Sequence, residues 1–108
     1  MAINILNISE KNNGGRLKAI AWVVEKSKDF PEGVKYAFAY IINNQRVIGY
    51  DNERTKGHHR HFITEDGTLA EEKTKFTDIN ETFKLFVKEV REFKNKPESK
   101  QDTNKNPK

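Results

Sequence analysis

All three histidines of this 108-residue chain, His58, His59 and His61, fall within four positions. Cations crowd around them (Arg54, Lys56 and Arg60), and Asp51 and Glu53 stand just upstream. In an extended segment His59 and His61 share one face, about 7 Å apart at ~3.3 Å per residue, while His58 and Arg60 point to the other. Two imidazoles at that spacing can share one small substrate group, and imidazole gives or takes a proton near neutrality. A guanidinium or ammonium beside them favours a phosphate and its developing negative charge. His59, His61 and Arg60 are therefore the candidate catalytic residues. Arg60 points away from both histidines if the strand is regular, so Arg54 and Lys56, in the loop before it, are candidate phosphate ligands. Tyr50, Asp51, Asn52, Glu53 and His58 form the supporting set. Asp51 has the chemistry to orient one histidine and hold its tautomer, and Asp51 or Asn52 can equally cap a turn.

Two other readings compete for the same residues. An exposed edge strand rich in charge protects itself against unwanted pairing, and histidines occur there. Alternatively, His59-x-His61-x3-Glu65 matches the core of the cupin metal-ligand motif. Its framing glycines are replaced by Glu53 and Glu72, and no histidine follows His61. No metal or cofactor is expected.

Zero cysteines exclude disulfides, thiolate metal sites, iron–sulfur clusters and cysteine nucleophiles together. No apolar run approaches the length of a membrane span, and the first residues lack the basic and apolar regions of a secretory signal. A cytoplasmic protein is expected. The net charge of +4 invites a nucleic-acid reading, but half of it sits in a tail with no apolar residue, from Asn95 to Lys108. Any electrostatic argument must therefore rest on local clustering. The expected organisation is one domain over residues 1–95 and a disordered Lys-rich tail over 96–108.

Several elements are expected to position the histidine segment. Ile3 to Ile8 reads as a strand before an Asn/Gly turn, and Leu17 to Glu25 as a second. Val34 to Asn43 alternates in a strand period, Asn43-Asn44 supplies a tight turn, and Gln45 to Tyr50 runs back as its hairpin partner. Gly49 inside that strand points to a bulge or to the close approach of something else. Asp51 to Gly57 reads as a polar connection and His58 to Ile63 as a short strand. Near the end, Ile79, Phe83, Phe86, Val87, Val90 and Phe93 make one stripe of a helix capped by Asp78, with Leu85 off the stripe. The fold expected is α+β: an antiparallel meander of four to five strands, packed by one C-terminal amphipathic helix.

The run Val47-Ile48-Gly49-Tyr50-Asp51-Asn52-Glu53-Arg54, then Lys56-Gly57, then His59-Arg60-His61, resembles the signature of the TumE-type toxins of bacterial type II toxin–antitoxin modules. The strand Lys35-Tyr36-Ala37-Phe38-Ala39-Tyr40 and the terminal amphipathic helix have counterparts there too. Position 58, often acidic in that pattern, is His58 here. The resemblance implies a small cytoplasmic toxin acting on RNA, encoded beside a helix-turn-helix antitoxin that neutralises it. An endoribonuclease is the first expectation. A non-catalytic module that docks nucleic acid or protein is the alternative, and a homodimer is left open.

Overall fold

The computed structural model describes residues 2–12, 14–53 and 57–95. Arg54, Lys56 and the Lys-rich tail lie outside them. Six strands run in chain order: β1 (Ile3–Asn12), β2 (Gly15–Val23), β3 (Val34–Ile42), β4 (Gln45–Glu53), β5 (Gly57–Ile63) and β6 (Leu69–Lys73). Each pairs antiparallel with the next, so the sheet is one continuous meander. The one helix among the described residues, α1 (Ile79–Lys94), packs on one face of it. The α+β class agrees with expectation, but the strand count does not: there are six strands and not four to five.

The missing strand is β6. Its sequence, Leu-Ala-Glu-Glu-Lys, carries no apolar alternation, and Leu69 is half exposed. Its place comes from the backbone ladder to β5, in which Arg60 faces Glu72 and His61 faces Glu71. The polar stretch after Tyr50 also differs from expectation, because Asp51 to Glu53 continue β4.

Alternation decides which residues face the helix. Ala19 and Ala21 of β2, Tyr36, Phe38 and Tyr40 of β3, and Ile48 and Tyr50 of β4 are buried with Phe86 and Val90 of α1. The small alanines let the aromatic side chains of β3 and the helix meet: Phe38 lies 5.5 Å from Phe83, edge to face, and 5.7 Å from Phe86. The expected helical stripe is the one that packs, and Leu85 is exposed. Asp78 caps the helix, its Oδ1 accepting from the Glu81 amide at 2.8 Å.

Asn43 and Asn44 both have positive φ, 52° and 64°, as a two-residue hairpin turn requires. Beyond that turn the β3–β4 ladder carries one irregularity. Ile42 faces Gln45 and Ile41 faces Arg46, but Tyr40 faces Ile48, so Val47 is an extra residue on β4. A strand with side-chain period two flips faces at each inserted residue. In regular pairing Arg46 would oppose Ile42 and point into the helix layer. The bulge turns it onto the open face instead.

Asn52 shows how a polar residue can be buried in such a strand. Its Oδ1 accepts from the Tyr36 amide at 2.9 Å and its Nδ2 donates to the Val34 carbonyl at 2.8 Å. The side chain thereby completes the hydrogen bonding of β3. Asn52→Ala leaves both backbone groups without that partner and is expected to cost about 1–3 kcal/mol. A urea midpoint unchanged in Asn52→Ala would refute this assignment.

Candidate active site on the open face of the sheet

The face of the sheet away from α1 carries a polar cluster built from β4, β5 and β6. Asp51, only 6% exposed, stands between Ala37 of β3 and His59 of β5. Its Oδ2 accepts from Arg46 Nη1 at 3.1 Å and lies 3.0 Å from His61 Nε2. One carboxylate oxygen thus joins a guanidinium to an imidazole. Its Oδ1 is buried with no hydrogen-bond partner among the described residues. Glu71 Oε2 lies 3.5 Å from His61 Nδ1 on the outer side.

Arg46 Nη2 is 3.1 Å from both ring nitrogens of His61. No position in the ring plane is that close to both without striking the carbon between them, so the guanidinium lies over the ring face. The guanidinium therefore does not occupy the in-plane position at Nδ1. An Nε2–H donated to Asp51 leaves Nδ1 as the basic nitrogen.

Gly49 is what admits Arg46 to this position. A Cβ there would stand 2.8 Å from Arg46 Cδ and 2.9 Å from the Phe38 carbonyl oxygen. The bulge and the close approach read from Gly49 are therefore both present, and the approaching group is the Arg46 side chain. Gly49→Ala is expected to displace Arg46 and to cost about 1–3 kcal/mol from overpacking. The displacement is readable without any activity, as a changed chemical shift of the His61 ring. An unmoved His61 resonance in a folded variant would refute it.

His59 and His61 share this face, as the strand period predicts. His59 is 9% exposed, and its Nδ1 lies 3.1 Å from the Gly57 carbonyl. Arg60 does not join them. It crosses to the helix side, where its Nε donates to Glu89 at 2.8 Å, its Nη1 pairs with Glu72 at 3.2 Å and its guanidinium covers Phe62 at 4.5 Å. Glu89 holds that guanidinium even further above its ordinary range. Arg60 therefore fastens α1 to the sheet, and the cation beside the histidines is Arg46.

The supporting residues divide in the same way. His58 stacks on Phe76 at 4.3 Å, with Tyr36 Oη 2.8 Å from its Nδ1 and Glu32 3.1 Å from its Nε2. Tyr50 is buried against the helix, hydrogen-bonded to Glu89. Burial first, then neighbouring carboxylates, push the Tyr36 and Tyr50 phenols well above the usual tyrosine range. Both belong to the packed layer. Glu53 ends β4 opposite Gly57. Glu65 sits exposed in the β5–β6 turn. Among the described residues no three His, Asp or Glu side chains are grouped as metal ligands.

Sequence reasoning missed Arg46 and Glu71. Gly49 was a signal for the first, although it named no residue. Nothing in Leu69–Lys73 marked the strand that brings the second.

Fold and cluster together define a two-layer α+β domain with a carboxylate–histidine–arginine group on the open face of its sheet. A family model described as Toxin TumE matches residues 12–94, and the chain belongs to that family. Comparisons with curated proteins and with solved structures found no match. Among the described residues no helix is long and apolar enough to cross a membrane.

Proposed function

We propose that this chain is the toxin of a toxin–antitoxin pair, an endoribonuclease working at His59, His61 and Arg46 in the cytoplasm. A helix-turn-helix antitoxin encoded alongside neutralises it. The observation that carries the reading is the 3.0 Å contact between His61 Nε2 and buried Asp51, under the Arg46 guanidinium. Held in that tautomer, His61 Nδ1 takes the proton of a ribose 2′-OH. The 2′-oxygen attacks the adjacent phosphorus, and His59 gives a proton to the departing 5′-oxygen. The products are a 2′,3′-cyclic phosphate and a 5′-hydroxyl end. Arg46 stabilises the charge that builds on the phosphoryl oxygens. Two imidazoles and a guanidinium supply base, acid and cation, so cleavage is expected to survive a chelator.

The non-catalytic binding module is favoured by one fact, the small exposed fraction of His59. Inducing the chain alone separates the two readings. Growth arrest is expected, with cyclic-phosphate ends in total RNA, and the His59→Gln/His61→Gln double variant at equal level should relieve both. Undiminished arrest by the double variant would overturn the catalytic reading.

A further inference from the structure

We propose that the open face of β1–β3 is the track along which a single-stranded RNA backbone reaches the His61 cluster, its phosphates held by Lys11, Arg16 and Lys18. This rests on the ribonuclease reading for its ligand and on separate residues for its evidence.

Strand register carries the argument. Lys11 faces Arg16, Arg16 faces Ile41, and Ile41 faces Arg46. Four strands thus place three cations in one row across the sheet, and the last of them lies over His61. The next row runs from Lys18 through Ala39 and Gly49 to His61 itself. At ~4.8 Å between strands, Lys18 and His61 stand about 14 Å apart. The positions between them are alanine and glycine, so the floor is low at Ala39 and carries the Arg46 side chain over Gly49, beside the histidine. An open groove lined by Lys11, Arg16, Lys18 and the Asn43-Asn44 turn lies at the near end of these rows.

Charge supports the same occupant. No described side chain on this face of β1, β2 or β3 is acidic, whereas Glu10 of β1 is opposite Leu17 and so points to the helix side. The chain as a whole is only modestly basic, but Lys11, Arg16 and Lys18 stand on a face of β1–β3 with no acidic neighbour of its own. Rows of cations over a small-residue floor suit a continuous backbone that must lie flat. An acidic protein segment needs the charge but has no use for a line ending at an imidazole.

The test uses the full chain and a 2′-O-methyl single-stranded oligonucleotide, which lacks the free 2′-OH and is not cut. Each of Lys11→Gln, Arg16→Gln and Lys18→Gln should lower the slope of log K against log salt by about 0.7. The triple variant should lower it by about 2 and bind roughly tenfold or more weakly at low salt. Lys88→Gln, on the exposed side of α1, should change neither. Because the three cations are at the surface, the triple variant should keep the parent's melting temperature, and circular dichroism checks this. A folded triple variant that binds with unchanged slope and affinity overturns the track. So does one that keeps RNA affinity yet no longer binds an acidic peptide captured by the parent chain. If the oligonucleotide binds with the expected slopes but unmodified RNA is never cleaved, the track stands and the ribonuclease reading falls. If His61→Gln abolishes cleavage while the triple variant cleaves with unchanged KM, the reverse holds.

Discussion

Changing His61 to Gln is expected to lower single-turnover cleavage of RNA by roughly 100-fold or more, the usual scale for a general base. Binding of the same RNA at neutral pH should change little, because the amide keeps the size and polarity of the ring while losing its titration. Asp51→Asn should lose a comparable factor by a different route. Asn presents an N–H as well as an oxygen, so the ring is no longer forced to present Nδ1 as its base, although the 3.0 Å neighbour is still in place. Arg46→Gln, which removes the cation beside both His61 and Asp51, should also reduce the rate. Cleavage by His61→Gln within threefold of the parent would exclude this histidine as the base.

The second large effect is on the fold. Phe86 is 0% exposed and lies between Phe38 and the rest of α1. Phe86→Ala removes a ring from a place that cannot collapse, since Phe38 is itself fixed in β3, and should cost about 3–5 kcal/mol. Domains of this size have about 5–15 kcal/mol in total, so the variant should be near the edge of folding at 37 °C. Leu85 is the neighbouring residue in sequence and is 48% exposed. Leu85→Ala should stay within about 0.5 kcal/mol. Urea midpoints measure both, and a mild Phe86→Ala would mean that α1 contributes little to the core.

These residues show where sequence was informative. The helix stripe, the Asp78 cap, the Asn43-Asn44 hairpin and the opposite faces of His59 and Arg60 are local consequences of period and turn chemistry, so they could be read directly. That Asp51 orients a histidine was open as one of two options, without saying which histidine, because it depends on β4 continuing past Tyr50. That continuation is made by the ladder to β5 and by Asn52 bonding to Val34 and Tyr36, a contact sixteen to eighteen residues away. β6 was invisible, because an edge strand held by its backbone has no need of an apolar pattern. Arg46 was invisible for a sharper reason. Counting by twos from Tyr50 puts it among the core-facing residues, and only the extra residue at Val47 changes that parity.

That extra residue also fixes how the site responds to a kind of change that substitution scans do not sample. Losing the Val47 codon would keep the hairpin, the helix and every charged residue, and with Ile48 then following Arg46 directly the guanidinium would stay opposite Ile41 on the open face. Among related chains, a one-residue length difference in this strand would therefore mark the loss of the bulge and not the loss of the cation.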